Sequence, residues 1–235
     1  VRVVGILVLC ACGHIGFDDA TTPSGDAAPL SNGLVLHFTF DTSAPLLRDT
    51  GSANRDATCT SCPLQIGGRI GDGAASFDGT QCLDIADGLD VRPAQFSLSL
   101  WFSSATTSVA VDMMARPHDG ATTTMDTFEL TWGGGVGNDE VAMIFEGIGP
   151  GTAVDIAGWH HVATTYDGAL LSLWVDGRQP ANPAAVALTY SSDDDLIGCD
   201  VDRGALVTGF VGSLDDVRFY NRVLDQSEIQ ALAAM

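Results

Sequence analysis

The chain has 235 residues, 46% of them hydrophobic, which is ample for a core and too many for a disordered segment. Its formal net charge is −20 and all ten basic residues are arginine. Such a balance argues against a nucleic-acid partner or electrostatic docking on anionic lipid, and is compatible with divalent cations or with solubility alone.

Along the chain, Arg2 and the apolar run over residues 3–11 come first. The run is too short to span a bilayer and suits a secretory signal. Leu9-Cys10-Ala11-Cys12 resembles a bacterial lipobox, which implies lipidation of Cys12 and attachment to the membrane only through that anchor. The alternative is a plain signal peptide with two incidental cysteines. Residues 1–12 are therefore read as the signal and 13–32, rich in Asp, Thr, Pro, Ala and Gly, as a flexible tether. Residues 33–235 form one domain, exported and held at the cell envelope.

Within that domain short strand signals recur. Leu34, Leu36, Phe38 and Phe40 alternate with polar or smaller neighbours, as do Phe96, Leu98, Leu100 and Phe102. Further strands are expected over 74–77, 83–86, 109–115, 127–132, 140–145, 159–166, 170–175, 186–190 and 209–220. Asp-Gly pairs punctuate them, at Asp72-Gly73, Asp78-Gly79, Asp87-Gly88, Asp119-Gly120, Asp167-Gly168 and Asp176-Gly177. A type I′ turn, with positive φ at both central residues, is expected at Asp167-Gly168. Many short strands without helical crossovers predict an all-β, two-sheet antiparallel sandwich. One helix is expected at the end, with Asp225 as cap and Glu228 completing a capping box.

Cys59, Cys62, Cys82 and Cys199 follow the signal. In an oxidising compartment they are disulfide candidates, with three pairings open. Cys59-x-x-Cys62 lacks the second ligand pair a zinc site needs and the helix N-terminus a redox thiol needs.

Several segments together resemble the laminin G-like, concanavalin A-like jelly-roll domains. They are the opening strand Gly33-Leu34-Val35-Leu36-His37-Phe38-Thr39-Phe40-Asp41, then Gly71-Asp72-Gly73-Ala74-Ala75-Ser76-Phe77-Asp78-Gly79, then Phe96-Ser97-Leu98-Ser99-Leu100-Trp101-Phe102. Trp159-His160-His161-Val162-Ala163 follows with its Tyr166-Asp167-Gly168 turn, and Phe210-Val211-Gly212-Ser213-Leu214-Asp215-Asp216-Val217-Arg218-Phe219-Tyr220 closes the set. The resemblance implies a jelly roll with neighbouring termini. It also implies a structural calcium where first and last strands meet, which maps onto Asp41 with Asp215 or Asp216. Two side chains would need carbonyls or waters to complete such a shell.

Adjacent strand residues face opposite ways, so His160 and His161 cannot easily share an ion and are read as structural. The paired carboxylates of fold relatives that hydrolyse glycosides, Glu-x-Asp-x-x-Glu on one strand, do not occur, and Glu129, Glu140, Glu146 and Glu228 supply no pair at that spacing. Asp193-Asp194-Asp195 with Asp200 and Asp202 does not fit the EF-hand spacing and reads as a solvated loop, with a ligand-linked calcium there as the alternative. Trp132, beside Gly133-Gly134-Gly135, is the aromatic residue that could stack on a sugar, although an ordinary core role fits it as well. The reading is a non-catalytic binding module for glycan or protein ligands at the cell surface, calcium-stabilised, with no nucleic-acid partner. Alternatives are a structural or assembly lipoprotein and, third, a polysaccharide hydrolase.

Overall fold

The structure is a computed structural model, and it describes residues 30–105, 108–118, 126–134, 139–155 and 158–235. The lipobox with Cys12, most of the tether and the Asp119-Gly120 turn lie outside the described residues. In chain order the strands are β1 (Leu34–Phe38), β2 (Leu64–Ile66), β3 (Ala74–Asp78), β4 (Leu83–Ile85), β5 (Phe96–Ser104), β6 (Val111–Arg116), β7 (Phe128–Trp132) and β8 (Glu140–Ile144). They continue as β9 (Gly151–Ala153), β10 (His160–Tyr166), β11 (Leu170–Val175), β12 (Ala184–Ala185), β13 (Asp195–Ile197), β14 (Asp200–Asp202), β15 (Ala205–Val207) and β16 (Val211–Tyr220), before helix α1 (Gln226–Ala233).

These strands make an all-β, two-sheet antiparallel sandwich with one short C-terminal helix. One sheet has eight strands, ordered β12-β11-β10-β5-β16-β3-β2 with β1 also paired to β16. The other has six, ordered β4-β13-β6-β7-β8-β9, and β14 and β15 form a separate hairpin. Period-two alternation explains the layers. In β5, Phe96, Leu98, Leu100 and Phe102 face the core opposite Tyr166, Thr164, Val162 and His160 of β10. From the six-stranded sheet, Phe128, Leu130 and Trp132 meet them, with Phe96 and Phe128 rings 6.0 Å apart.

The outer face of the eight-stranded sheet is covered. Ile229 and Leu232 of α1 pack on Ala163 and Tyr220. Asp225 accepts from the Glu228 amide while Glu228 accepts from the Asp225 amide, the capping box expected from the sequence. Arg69, from the loop before β3, sits 4.5 Å over the Trp101 ring.

Two local expectations are corrected. The β10–β11 turn at Asp167-Gly168 has positive φ only at Gly168, because the Asp167 carboxylate accepts from the Ala169 and Leu170 amides in a four-residue loop. Of the two Asp-Gly pairs around β11, the second has both central residues at positive φ, Asp176 (47°) and Gly177 (72°), where Val175 and Arg178 exchange both backbone bonds. The strand expected over 186–190 is absent; only Ala184–Ala185 pairs, against Leu170 and Leu171.

The cysteines pair as Cys59–Cys62 and Cys82–Cys199. The second bridges a sequence separation of 117 and ties the head of β4 to the chain entering the β14–β15 hairpin.

Candidate metal centre

Strand β6 carries a carboxylate inside an apolar run, Val111-Asp112-Met113-Met114. A register shift between Asp112 and Met114 sets Asp112 opposite Thr131, on the outer face of the six-stranded sheet. Glu129 points the same way, since its β7 neighbours Phe128 and Leu130 enter the core. Asp126 lies just before β7, its Oδ1 accepting from the His118 amide at 3.3 Å. Asp200 opens β14, which is held over β6 by the Asp112 amide donating to the Thr208 carbonyl at 2.8 Å. The carboxylate oxygens of Asp126, Glu129 and Asp200 all lie within 4.8 Å of one another, and they are the one set of three or more such ligands found among the described residues.

The electrostatics of this cluster favour neutralisation. Burial pushes Asp112 up to about 7, with Asp200, Asp126 and Asp202 adding to it against a hydrogen bond from Thr208. Burial, then Glu129, pushes Asp126 up to about 8, and burial raises Glu129 as well. None of the leading influences on the three is a cation. Arg116 at the end of β6 is held by the buried Asp195, with Nε–Oδ1 and Nη2–Oδ2 both 2.8 Å, and by Asp87. Asp112 is 2% exposed and its Oδ1 has no hydrogen-bond partner. A buried acceptor in that state is costly unless a proton or a cation satisfies it. The donor set is entirely carboxylate, which suits a hard cation. This buried acidic triad could therefore hold a metal ion.

The residues singled out from sequence fare differently. Asp41, Asp215 and Asp216 are not gathered as a three-ligand set. Asp41 Oδ1 accepts from the amides of Asp72 (2.8 Å) and Gly73 (3.2 Å). Asp215 Oδ2 accepts from those of Arg69 (2.7 Å) and Ile70 (2.8 Å). Asp216, at a bulge with φ of 50°, is gripped by the Arg218 fork at 2.9 Å and faces His37 Nε2 at 2.8 Å. Burial would raise the Asp216 carboxyl, but His37 and Arg218 outweigh it and hold it below its usual range. Asp41 and Asp216 face N–H donors, whereas Asp215 keeps a buried Oδ1 without a hydrogen-bond partner and is pushed by burial up to about 6.

Trp132 is 1% exposed, packs 5.3 Å from the Phe102 ring and donates its Nε1 hydrogen to the Ala105 carbonyl, so no face is offered to a sugar. His160 and His161 do face opposite ways: His160 Nδ1 meets Asp176 and His161 Nε2 meets Ser99. The acidic run at 193–202 is not a solvated loop. Asp195 is fully buried against Arg116, and Asp200 belongs to the triad. Sequence reasoning missed Asp112, Asp126 and Glu129. The available signal was Asp112 within an apolar strand and an acid three residues before Glu129 at the entry of the next.

A family model described as the concanavalin A-like lectin/glucanases superfamily matches residues 77–230. No curated protein matches the sequence. Among solved structures, domain 4 of AbnA, a GH43 extracellular arabinanase from Geobacillus stearothermophilus in complex with arabinotriose, superposes with a TM-score of 0.68 at 21% identity. That match covers 85% of this chain and 98% of the other. The binding domain of botulinum neurotoxin DC, in complex with rat synaptotagmin II, gives 0.64 at 12% identity over 87% of this chain and 52% of its own. The binding domain of Paraclostridial Mosquitocidal Protein 1 gives 0.65 at 11% identity over the same shares, so the chain spans about half of each toxin domain. With two stacked antiparallel sheets and a family model running from β3 into α1, the chain belongs to the concanavalin A-like lectin/glucanases superfamily.

Proposed function

We propose that this domain is a non-catalytic carbohydrate-binding module whose binding face is organised by calcium at Asp112, Asp126, Glu129 and Asp200. The observation that carries the reading is the unpartnered, buried Asp112 oxygen beside three carboxylates gathered between the outer face of the six-stranded sheet and the β14–β15 hairpin. Calcium takes 6–8 oxygens, so these side chains supply part of a shell that carbonyls and water complete. Bound there, the ion would neutralise the cluster and fasten the β14–β15 hairpin to the sheet. A binding role is supported by the arabinanase domain, described with arabinotriose. A catalytic role is disfavoured because Asp126 and Asp200 are buried and cannot flank a glycosidic bond. The two disulfides suit an exported protein, and attachment through a lipidated Cys12 completes the proposal.

The test is calorimetric titration of arabinotriose, with a broader glycan array, in calcium and in chelator. Binding in calcium that disappears in chelator and in Asp126→Asn/Asp200→Asn is expected. Binding to no glycan in either condition overturns the reading. A protein ligand is the second reading, favoured by edge strand β2, where Leu64 is 70% exposed and Ile66 lies beside it.

A further inference from the structure

A groove of about 580 Å³ crosses the outer face of the six-stranded sheet beside the carboxylate centre. Its floor is Asp84 of β4 and Leu196 of β13. One wall is the 58–61 loop, tied to the sheet by two 2.8 Å backbone bonds between Thr58 and Asp84. The other wall is the β14–β15 hairpin, which contributes Val201 and Leu206, and Val201 stands between Asp200 and Asp202. A smaller recess of about 170 Å³ continues it, sharing Asp84, Leu196 and Val201 and adding Asp193 and Asp194.

Both cystines border this groove. Cys59–Cys62 closes a ring too short to remove much entropy from the unfolded chain, so its effect is local stiffening of one wall. Cys82–Cys199 anchors the base of the hairpin, and so the opposite wall, to β4. Stiff walls are what a preformed binding site requires, since ordering on binding costs affinity.

The lining names a ligand class. The hydroxyls of Thr58, Thr60 and Ser61 make no hydrogen bond within the described protein and can both donate and accept. Leu196, Val201 and Leu206 offer apolar surface to C–H faces. No arginine or histidine lines the groove or the recess, and every charge there is a carboxylate. A ligand carrying its own carboxylate or sulfate would be repelled and would find no counter-charge.

We infer that this groove takes a neutral oligosaccharide and excludes acidic glycans, by the carboxylates of Asp84 and Asp194. The inference rests on the carbohydrate-binding reading and adds to it the place and the class of ligand.

The experiment uses the full chain in calcium, with arabinotriose, xylotriose and cellotriose as neutral probes and trigalacturonate as the acidic one. At least one neutral probe is expected to bind and trigalacturonate to bind at least about tenfold more weakly. Ser61→Trp, on the exposed loop, fills the groove and should weaken neutral binding about tenfold or more, with calcium uptake unchanged and the unfolding midpoint within about 2 °C. Thr60→Trp serves should that variant misfold. Neutral binding untouched by either tryptophan overturns the groove assignment and leaves the carbohydrate reading standing. Trigalacturonate binding as tightly as the neutral probes overturns the ligand class. Absence of binding to any of them overturns both.

Discussion

Two groups of aspartates occupy this sandwich, and the fold treats them in different ways. Where the first strand meets the last, Asp41, Asp215 and Asp216 each face donors: backbone amides for the first two, Arg218 and His37 for the third. Between the six-stranded sheet and the β14–β15 hairpin, Asp112, Asp126 and Asp200 face one another and Glu129. The residue type is the same, and Asp215 and Asp216 are as buried as the second group, so the difference comes from what the backbone presents. A loop that turns its N–H groups inward makes an anion site, as the 68–73 loop does for Asp41 and Asp215. Strand faces turn no amides outward, so Asp112 keeps a buried Oδ1 without a donor, and the gathered carboxylates call for a proton or a cation.

That contrast can be broken experimentally. The largest effect is expected from Asp216→Ala, which leaves buried Arg218 unpaired and should cost about 3–5 kcal/mol by urea denaturation, equally with and without calcium. A calcium-dependent loss would mean that this end of the molecule holds the ion after all. Next, calcium at a hundredfold excess over its Kd should raise stability by about 2.7 kcal/mol in the wild type and by nothing measurable in Asp126→Asn/Asp200→Asn. An equal gain in both proteins would remove the ion from the centre.

The pH dependence separates Asp216 by sign from the carboxylate centre, while Asp215, pushed by burial up to about 6, sides with the centre. Asp112 and Asp126 hold protons in the folded state, up to about 7 and 8, that the unfolded chain has released. Stability without calcium should therefore fall by about 2 kcal/mol or more as pH rises from about 4 to about 8, and calcium should flatten that slope while releasing protons. Asp216, held below its usual range, gives the opposite limb: its contribution is present above about pH 4 and is lost on acidification. Denaturation curves at stepped pH, with and without chelator, read both limbs. The smallest effect is expected from Asp112→Asn, which should raise calcium-free stability at pH 8 by about 1 kcal/mol while weakening calcium uptake. Destabilisation in chelator at that pH would show that the Asp112 charge is already satisfied.

Much of the architecture was legible in the chain. Alternation in 34–40 and 96–102 set which side chains enter the core, and Asp225 with Glu228 announced the helix cap. Of the three-residue strands, Leu83–Ile85 was legible and others were not. Leu64–Ile66, Gly151–Ala153 and Asp195–Ile197 have three residues each, less than two periods of any pattern. The turn types could not be ranked either, because Asp167-Gly168 and Asp176-Gly177 are identical pairs and the flanking register decides which closes in two residues. Of the site, the family likeness pointed to carboxylates at the strand junction. It carried no information on whether nearby loops would supply amides to them.

By itself the sequence determined the layers, the polarity of each long strand, the acidic surface and the supply of four cysteines, because each depends on local composition and a period of two. Tertiary structure alone decided which cysteines meet, that Trp132 turns inward, and that Asp112, Asp126, Glu129 and Asp200 converge from three separate strand segments. A carboxylate becomes an ion ligand or an amide acceptor according to which groups the fold brings within a few ångströms of it, and no neighbour in the chain specifies that.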